Sequence, residues 1–151
     1  QSLKYLSALL QQPFVDNYNR YQLVFNGEDP QNFILTCVRQ TQAGELDDKL
    51  IYRKRLRRRL NDYVKNIPPQ VKAARIADEQ NAKRGLPLKY QRKGTIAYVI
   101  TLTGPQPVEY QTSPIDYQHY IDKQIAPVAE AILPFVGIDF AGLFDKQIEL
   151  F

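Results

Sequence analysis

The spacing of apolar residues changes several times along this chain, and each change predicts an element. Between residues 2 and 25, Leu3, Leu6, Leu9 and Leu10 share one helical face, and Phe14, Tyr18, Tyr21 and Phe25 share another, with a break near Pro13. "NGEDP" reads as a turn, and Asp29 followed by Pro30 supplies an N-cap and a first helical position. The helix that starts there is expected to bury Phe33, Ile34, Cys37 and Val38 and to stop at Gly44. In "DDKLIYRKRLRRRLNDYV" the period is mixed. Leu50, Tyr52 and Lys54 alternate as in a strand, whereas Leu56, Leu60 and Tyr63 are spaced as in a helix. The pattern predicts an extended entry followed by a turn or short helix, ended by "NIPP".

Further on, Val71, Ala74, Arg75 and Ala82 repeat at helical spacing up to Gly85. "GTIAYVITLTG" is β-branched and bounded by glycines, which predicts a strand, and "PVEYQ" is expected to form a short second strand or an extended arm. "DYQHYIDKQIAPVAEAILPFV" reads as a long last helix, with Pro127 marking a kink or a start. The predicted class is α+β: a mostly helical domain with one small β-sheet.

Composition narrows the function classes. The chain has 151 residues, enough for one compact domain with a real core. No segment approaches the roughly 18 uncharged apolar residues of a membrane helix, so no membrane partner is expected, and the opening residues lack the pattern of a signal peptide. The chain starts on Gln1 and has no methionine, which suggests a piece of something larger. Net charge is only +4, but it is unevenly spread. Arg53 to Lys93 holds fourteen Lys/Arg against three Asp/Glu, and the rest holds six against thirteen. A basic middle between acidic ends favours a polyanionic partner, nucleic acid first.

Catalytic chemistry is nearly absent. One cysteine and one histidine exclude the usual Cys/His zinc cluster, and Cys37 in "NFILTCV" reads as a buried core thiol. His119 reads as a surface or packing residue, and Asp47-Asp48 as a solvated turn rather than a metal site. No phosphate-binding glycine loop and no nucleophile motif is present, and no catalytic or metal-ligating residue can be named. The strongest signal is "YRKRLRRRL", six cations in seven residues. Leu56 and Leu60 within it, with Tyr52 and Tyr63 beside it, argue for anchoring to a core rather than a disordered tail. Arginines fixed in this way suit phosphate oxygens, because the planar guanidinium donates two parallel hydrogen bonds. Lys83, Arg84, Lys89, Arg92 and Lys93 form a second cluster in a predicted loop between helix and strand. A solvated basic face is the competing reading.

The same residues resemble the thumb region of family B DNA polymerases. A basic residue, then Leu and Tyr, falls on Arg58, Leu60 and Tyr63. The family's Pro-His-Val with a following Ala falls on Pro69, Gln70, Val71 and Ala74, with glutamine in place of histidine. Its Gly-Thr strand with a Tyr falls on Gly94, Thr95 and Tyr98, and its Asp, Tyr-Ile, Gln-Val and Pro series on Asp116, Tyr120, Ile121, Gln124, Ile125 and Pro127. "GELDDKLIYRKRLRR" and the terminal "QIELF" are closer still to a bacterial member of the family. The resemblance implies a palm–thumb junction over residues 1–46, a thumb over 47–140 and a C-terminal tail over 141–151.

It further implies that Arg53, Lys54, Arg55, Arg57, Arg58, Tyr63, Lys83, Arg84, Lys89, Arg92 and Lys93 grip primer–template duplex DNA through its phosphates. The family's catalytic aspartates lie in motifs this chain lacks. The parent would be a DNA-directed DNA polymerase using Mg2+ and deoxynucleoside triphosphates, whereas this chain alone would be inactive and hold no cofactor. Its palm and fingers domains would be partners, in the cytoplasm at the nucleoid. "QIELF" resembles the sliding-clamp-binding peptide of bacterial replication proteins, with Gln147 at a pocket rim and Ile148, Leu150 and Phe151 in an apolar cleft. The alternatives are a free-standing, sequence-tolerant nucleic-acid-binding protein and an adaptor that works through its tail.

Overall fold

The computed structural model describes residues 30–132 and Gly142. They fall in two compact units, Leu50–Asp116 and the described residues on either side of it. The helical readings of residues 2–25 lie outside the described residues. The α+β class holds, with one small three-stranded sheet. Among the described residues no helix is long and apolar enough to cross a membrane.

In the flanking unit, helix α1 (Pro30–Gln42) has proline in its first position, where a missing N–H costs nothing. Ile34, Cys37 and Val38 are buried as expected, and Leu35 joins them; Phe33 is only half-buried. Thr41 completes the stripe, its buried hydroxyl donating to the Cys37 carbonyl at 2.7 Å. The helix closes on Gly44, whose φ of +79° suits glycine, while the Glu45 N–H reaches back to the Gln40 carbonyl. A Cβ on Gly44 would stand 3.2 Å from the Tyr117 hydroxyl. That hydroxyl donates to the Asp47 carboxylate at 2.9 Å, and burial, followed by this hydrogen bond, raises the Tyr117 pKa. Asp47 is thus a hydrogen-bonded member of the short 3-10 turn Asp47–Lys49, and Asp48 is its solvated neighbour.

The last helix begins as α2 (Tyr117–Tyr120), widens into one π turn over Ile121–Ile125 and continues as α3 (Ala126–Ile132). Pro127 accounts for the widening, because it has no N–H to continue the ladder. The Ala126 N–H bonds instead to the Ile121 carbonyl. Tyr120, Ile121, Ile125, Val128 and Ala129 stay buried through the change of pitch.

In the Leu50–Asp116 unit, strand β1 (Tyr52–Leu56) pairs antiparallel with β2 (Gly94–Thr101), which pairs antiparallel with β3 (Gly104–Pro107). The mixed period read after Asp47 resolves as this strand followed by a 3-10 turn, Leu60–Asp62. Asn66, at φ +50°, bends the chain before the two prolines. Helix α4 (Pro69–Lys83) then lays Val71, Ala73, Ala74 and Ala77 against Leu56, Leu60, Ile96 and Tyr98. Three alanines in this stripe permit close approach, and burying each large partner contributes about 1.5–3 kcal/mol. Ala82 is exposed, because the buried stripe continues through Asp78 and Asn81. "PVEYQ" is not a strand. Only Pro107 belongs to β3, and Val108–Tyr110 curls into a 3-10 turn. Pro105 and Pro107 have no N–H to donate, which suits a short strand at the sheet edge.

Candidate nucleic-acid interface

The ladder sets where the basic run begins. Tyr52 and Leu56 face the core, and Tyr52 stacks on Tyr98 across the strands with ring centroids 5.2 Å apart. Between them Arg53, Lys54 and Arg55 are exposed on an edge strand. Leu56 and Leu60 are both buried, so Arg57, Arg58 and Arg59 form an exposed arch tied down at each end. The arch is fixed from below by Arg75 on α4. One of its guanidinium nitrogens donates to the Leu60 carbonyl at 2.8 Å and to the Tyr63 carbonyl at 2.7 Å.

These constraints converge on a cleft of about 440 Å³ lined by Arg53, Lys54, Arg55, Arg57, Arg58, Tyr63 and Gln70. Among the described residues none of its five cations is paired with a carboxylate. The Arg58 guanidinium lies 4.6 Å from the centre of the Tyr63 ring, which orients it without neutralising it. Gln70 sits in the first turn of α4, after Pro69. The Val71 and Lys72 N–H groups both bond to the Pro68 carbonyl. These first-turn donors are thus already used, and the five unneutralised cations with the Gln70 amide define a site for an extended anion. Among the described residues no group of three His, Cys, Asp or Glu side chains forms a metal site, so no role for a metal ion is derived from them.

The second cluster is arranged differently. Lys83, Arg84, Lys89, Arg92 and Lys93 are exposed and do not line this cleft. Lys83 lies 3.3 Å from Glu79, Lys89 lies 3.3 Å from Glu109, and Arg84 stacks over Tyr110 at 4.8 Å. The ladder register sets Leu56 opposite Gly94, so Arg57 and Lys93 leave the sheet at the same end. Tyr90 donates to Glu109 at 3.2 Å, and burial, followed by Glu109, raises its pKa to about 12. Gln147, Ile148, Leu150 and Phe151 lie outside the described residues. His119 packs edge-on against Tyr120, with centroids 5.0 Å apart.

Two residues that organise the site are easily missed in the sequence. Arg75 reads as one more cation, although its place in an apolar helical stripe is a signal of inward use. Asp78, only 3% exposed, holds the loop of the second cluster, and it is one of only three acids in the basic middle.

No protein-family model matches the chain. In sequence it is 53% identical over 131 residues to DNA polymerase II of Escherichia coli (strain K12), a match covering 87% of this chain and 17% of that protein. In structure it is similar to the family B DNA polymerase from the hyperthermophilic archaeon Pyrobaculum calidifontis, with a TM-score of 0.57 and 24% identity. That match covers 87% of this chain and 18% of the archaeal one, and it is a likeness of fold. The resemblance read from the motifs is therefore found again across most of the chain: it is similar in sequence to a segment of a bacterial DNA polymerase II, and in fold to a segment of a family B DNA polymerase.

Proposed function

We propose that this chain is the thumb segment of a family B DNA-directed DNA polymerase and that it grips the primer–template duplex by its phosphates. The observation that carries the reading is the cleft of Arg53, Lys54, Arg55, Arg57, Arg58 and Tyr63, with its five cations unpaired among the described residues. A planar guanidinium suits phosphate oxygens, and phosphate contact is blind to sequence, as a polymerase moving over its own product requires. The parent's activity, with Mg2+ and deoxynucleoside triphosphates, would belong to palm and fingers domains, and this chain alone would be inactive. The domain reading is a junction over 1–46, a thumb over 47–140 and a tail over 141–151. The whole would work in the cytoplasm at the nucleoid. "QIELF" would tether it to the sliding clamp, with Ile148, Leu150 and Phe151 as apolar anchors and Gln147 at the rim.

Titration of the chain with primer–template duplex, single strands and structured RNA at two salt concentrations tests the grip. If all five cleft cations meet phosphates, log K against log salt should fall with a slope of about −4 to −5. Tighter binding to structured RNA than to duplex DNA would refute it. For the tail, deleting Leu150 and Phe151 should abolish clamp binding and leave the melting curve unchanged. A melted domain would assign those residues to the core instead.

A further inference from the structure

The loop between α4 and β2 is fastened at both ends and holds an apolar tip out to solvent. At its start, Gly85 turns the chain with φ +69°, and the Leu86 N–H donates back to the Asn81 carbonyl at 2.8 Å. At its far end the buried Asp78 carboxylate binds three consecutive residues. Its Oδ1 accepts the Lys89 N–H at 2.8 Å, and its Oδ2 accepts the Tyr90 N–H at 3.0 Å and the Gln91 side-chain amide at 2.9 Å. The Lys89 and Tyr90 side chains both reach Glu109, which adds a second fastening. Between the two ends lie Leu86, Pro87 and Leu88, with each leucine 49% exposed. Lys83 and Arg84 precede this tip along the chain, and Lys89, Arg92 and Lys93 follow it, all of them exposed.

A loosely held loop could fold two leucines away from water. This one is pinned with them outward, in a stretch of chain that carries cations before and after them. The complementary surface is non-ionic in the middle and anionic at the rims, which describes a nucleic-acid groove, with sugars and base edges between two lines of phosphate. We propose that Leu86 and Leu88 pack against the sugars and base edges of a bound duplex while Arg84, Arg92 and Lys93, which no carboxylate pairs among the described residues, take phosphates, and that Asp78 is the positioning residue for the loop. The inference rests on the nucleic-acid reading of the cleft and adds a contact of different chemistry to it. An anionic membrane surface would also suit leucines among cations. Duplex is favoured because the register brings Lys93 to the end of the sheet from which Arg57 departs toward the cleft.

The test uses the full chain, duplex DNA over a range of salt, and the double variant Leu86→Ser/Leu88→Ser. Apolar contact releases no counterions. Affinity should therefore fall by a similar factor at every salt concentration, about tenfold for two half-buried leucines, with the salt slope unchanged. Asp78→Asn, measured where circular dichroism shows the chain folded, should lower both the affinity and the slope, because the loop's cations lose their placement as well. A purely structural Asp78 would shift the melting temperature and leave the slope of the folded chain as it was. Wild-type affinity in the double variant overturns the proposal, and so does a loss confined to low salt. So does a double variant that loses binding only to vesicles of anionic phospholipid. A wild-type chain with no salt-dependent duplex binding fails earlier, at the cleft.

Discussion

Replacing Arg75 with methionine tests whether the cationic arch is held from below. Methionine keeps much of the side chain's length and packing but removes the guanidinium. Two hydrogen bonds vanish, at 2.8 Å to the Leu60 carbonyl and 2.7 Å to the Tyr63 carbonyl. A hydrogen bond from a charged donor contributes about 1.5–3 kcal/mol. Here both come from one nitrogen, both are partly open to water, and the Leu60 carbonyl still accepts the Tyr63 N–H at 3.3 Å. The combined loss should therefore lie near the value of a single such bond, about 2 kcal/mol. For a small unit that lowers Tm by about 8–16 °C. Thermal melting followed by circular dichroism measures the shift, and amide exchange should show faster opening at Leu60–Tyr63 than in α4. Arg75→Lys, which can reach one carbonyl, should recover about half the loss. If Arg75→Met melts within about 2 °C of the wild type, the two bonds do not hold the arch and the account of the cleft's rigidity is wrong.

Arg58→Ala should flatten the slope of log K against log salt by about one unit on duplex DNA, and an unchanged slope would remove Arg58 from the phosphate contacts. Burial, with a smaller contribution from Tyr52, raises the Tyr98 pKa from 10.0 to about 12. The folded state thus favours the protonated phenol, so its contribution is complete below pH about 10 and is lost as pH rises toward about 12. Urea titrations across that window should show stability falling, and Tyr98→Phe should flatten the fall; a variant that declines as steeply as the wild type contradicts the assignment. Gly44→Ala combines a φ of +79° with a Cβ only 3.2 Å from the Tyr117 hydroxyl, and should cost about 1–2 kcal/mol. A neutral effect in chemical denaturation would mean that the α1 cap relaxes.

Sequence period located the elements wherever local preference and burial agree. Strand β2 is β-branched and glycine-bounded, and it folds as read. "PVEYQ", read as a short strand or an extended arm, keeps only Pro107 in the ladder, because Val108–Tyr110 turns off as a 3-10 segment, which its letters do not announce. Pro127 was legible as a disturbance, but not as a π turn, since the choice among a kink, a start and a widened turn depends on what packs beneath it. The basic run was visible as charge, and its apolar anchors showed that it would be fixed. What the letters could not show was the sorting of eleven candidate site residues into six that share one cleft and five arranged in a separate, partly compensated loop. That separation depends on antiparallel register and on partners such as Glu79 and Glu109, which are distant or unremarkable in sequence. The half-buried Arg75 and the buried Asp78 are hidden for the same reason, because an inward-facing charge is recognised by what surrounds it.

The fold also explains how a run of like charges is tolerated. Two unit charges 4 Å apart in water repel by about 1 kcal/mol, and more where protein lowers the dielectric. Six cations in seven residues would therefore drive a free segment toward extension. The chain divides the run instead. Arg53, Lys54 and Arg55 ride a strand whose register is fixed by Tyr52 against Tyr98, and Arg57, Arg58 and Arg59 ride an arch held by Leu56, Leu60 and Arg75. Arg75 directs its own charge at two carbonyls, and the face of the Tyr63 ring attracts and orients the Arg58 guanidinium. Burial of the apolar anchors thus opposes a repulsion that remains at the cleft. A bound polyanion relieves that repulsion, so the same contacts that bind it should also stabilise the segment that makes them.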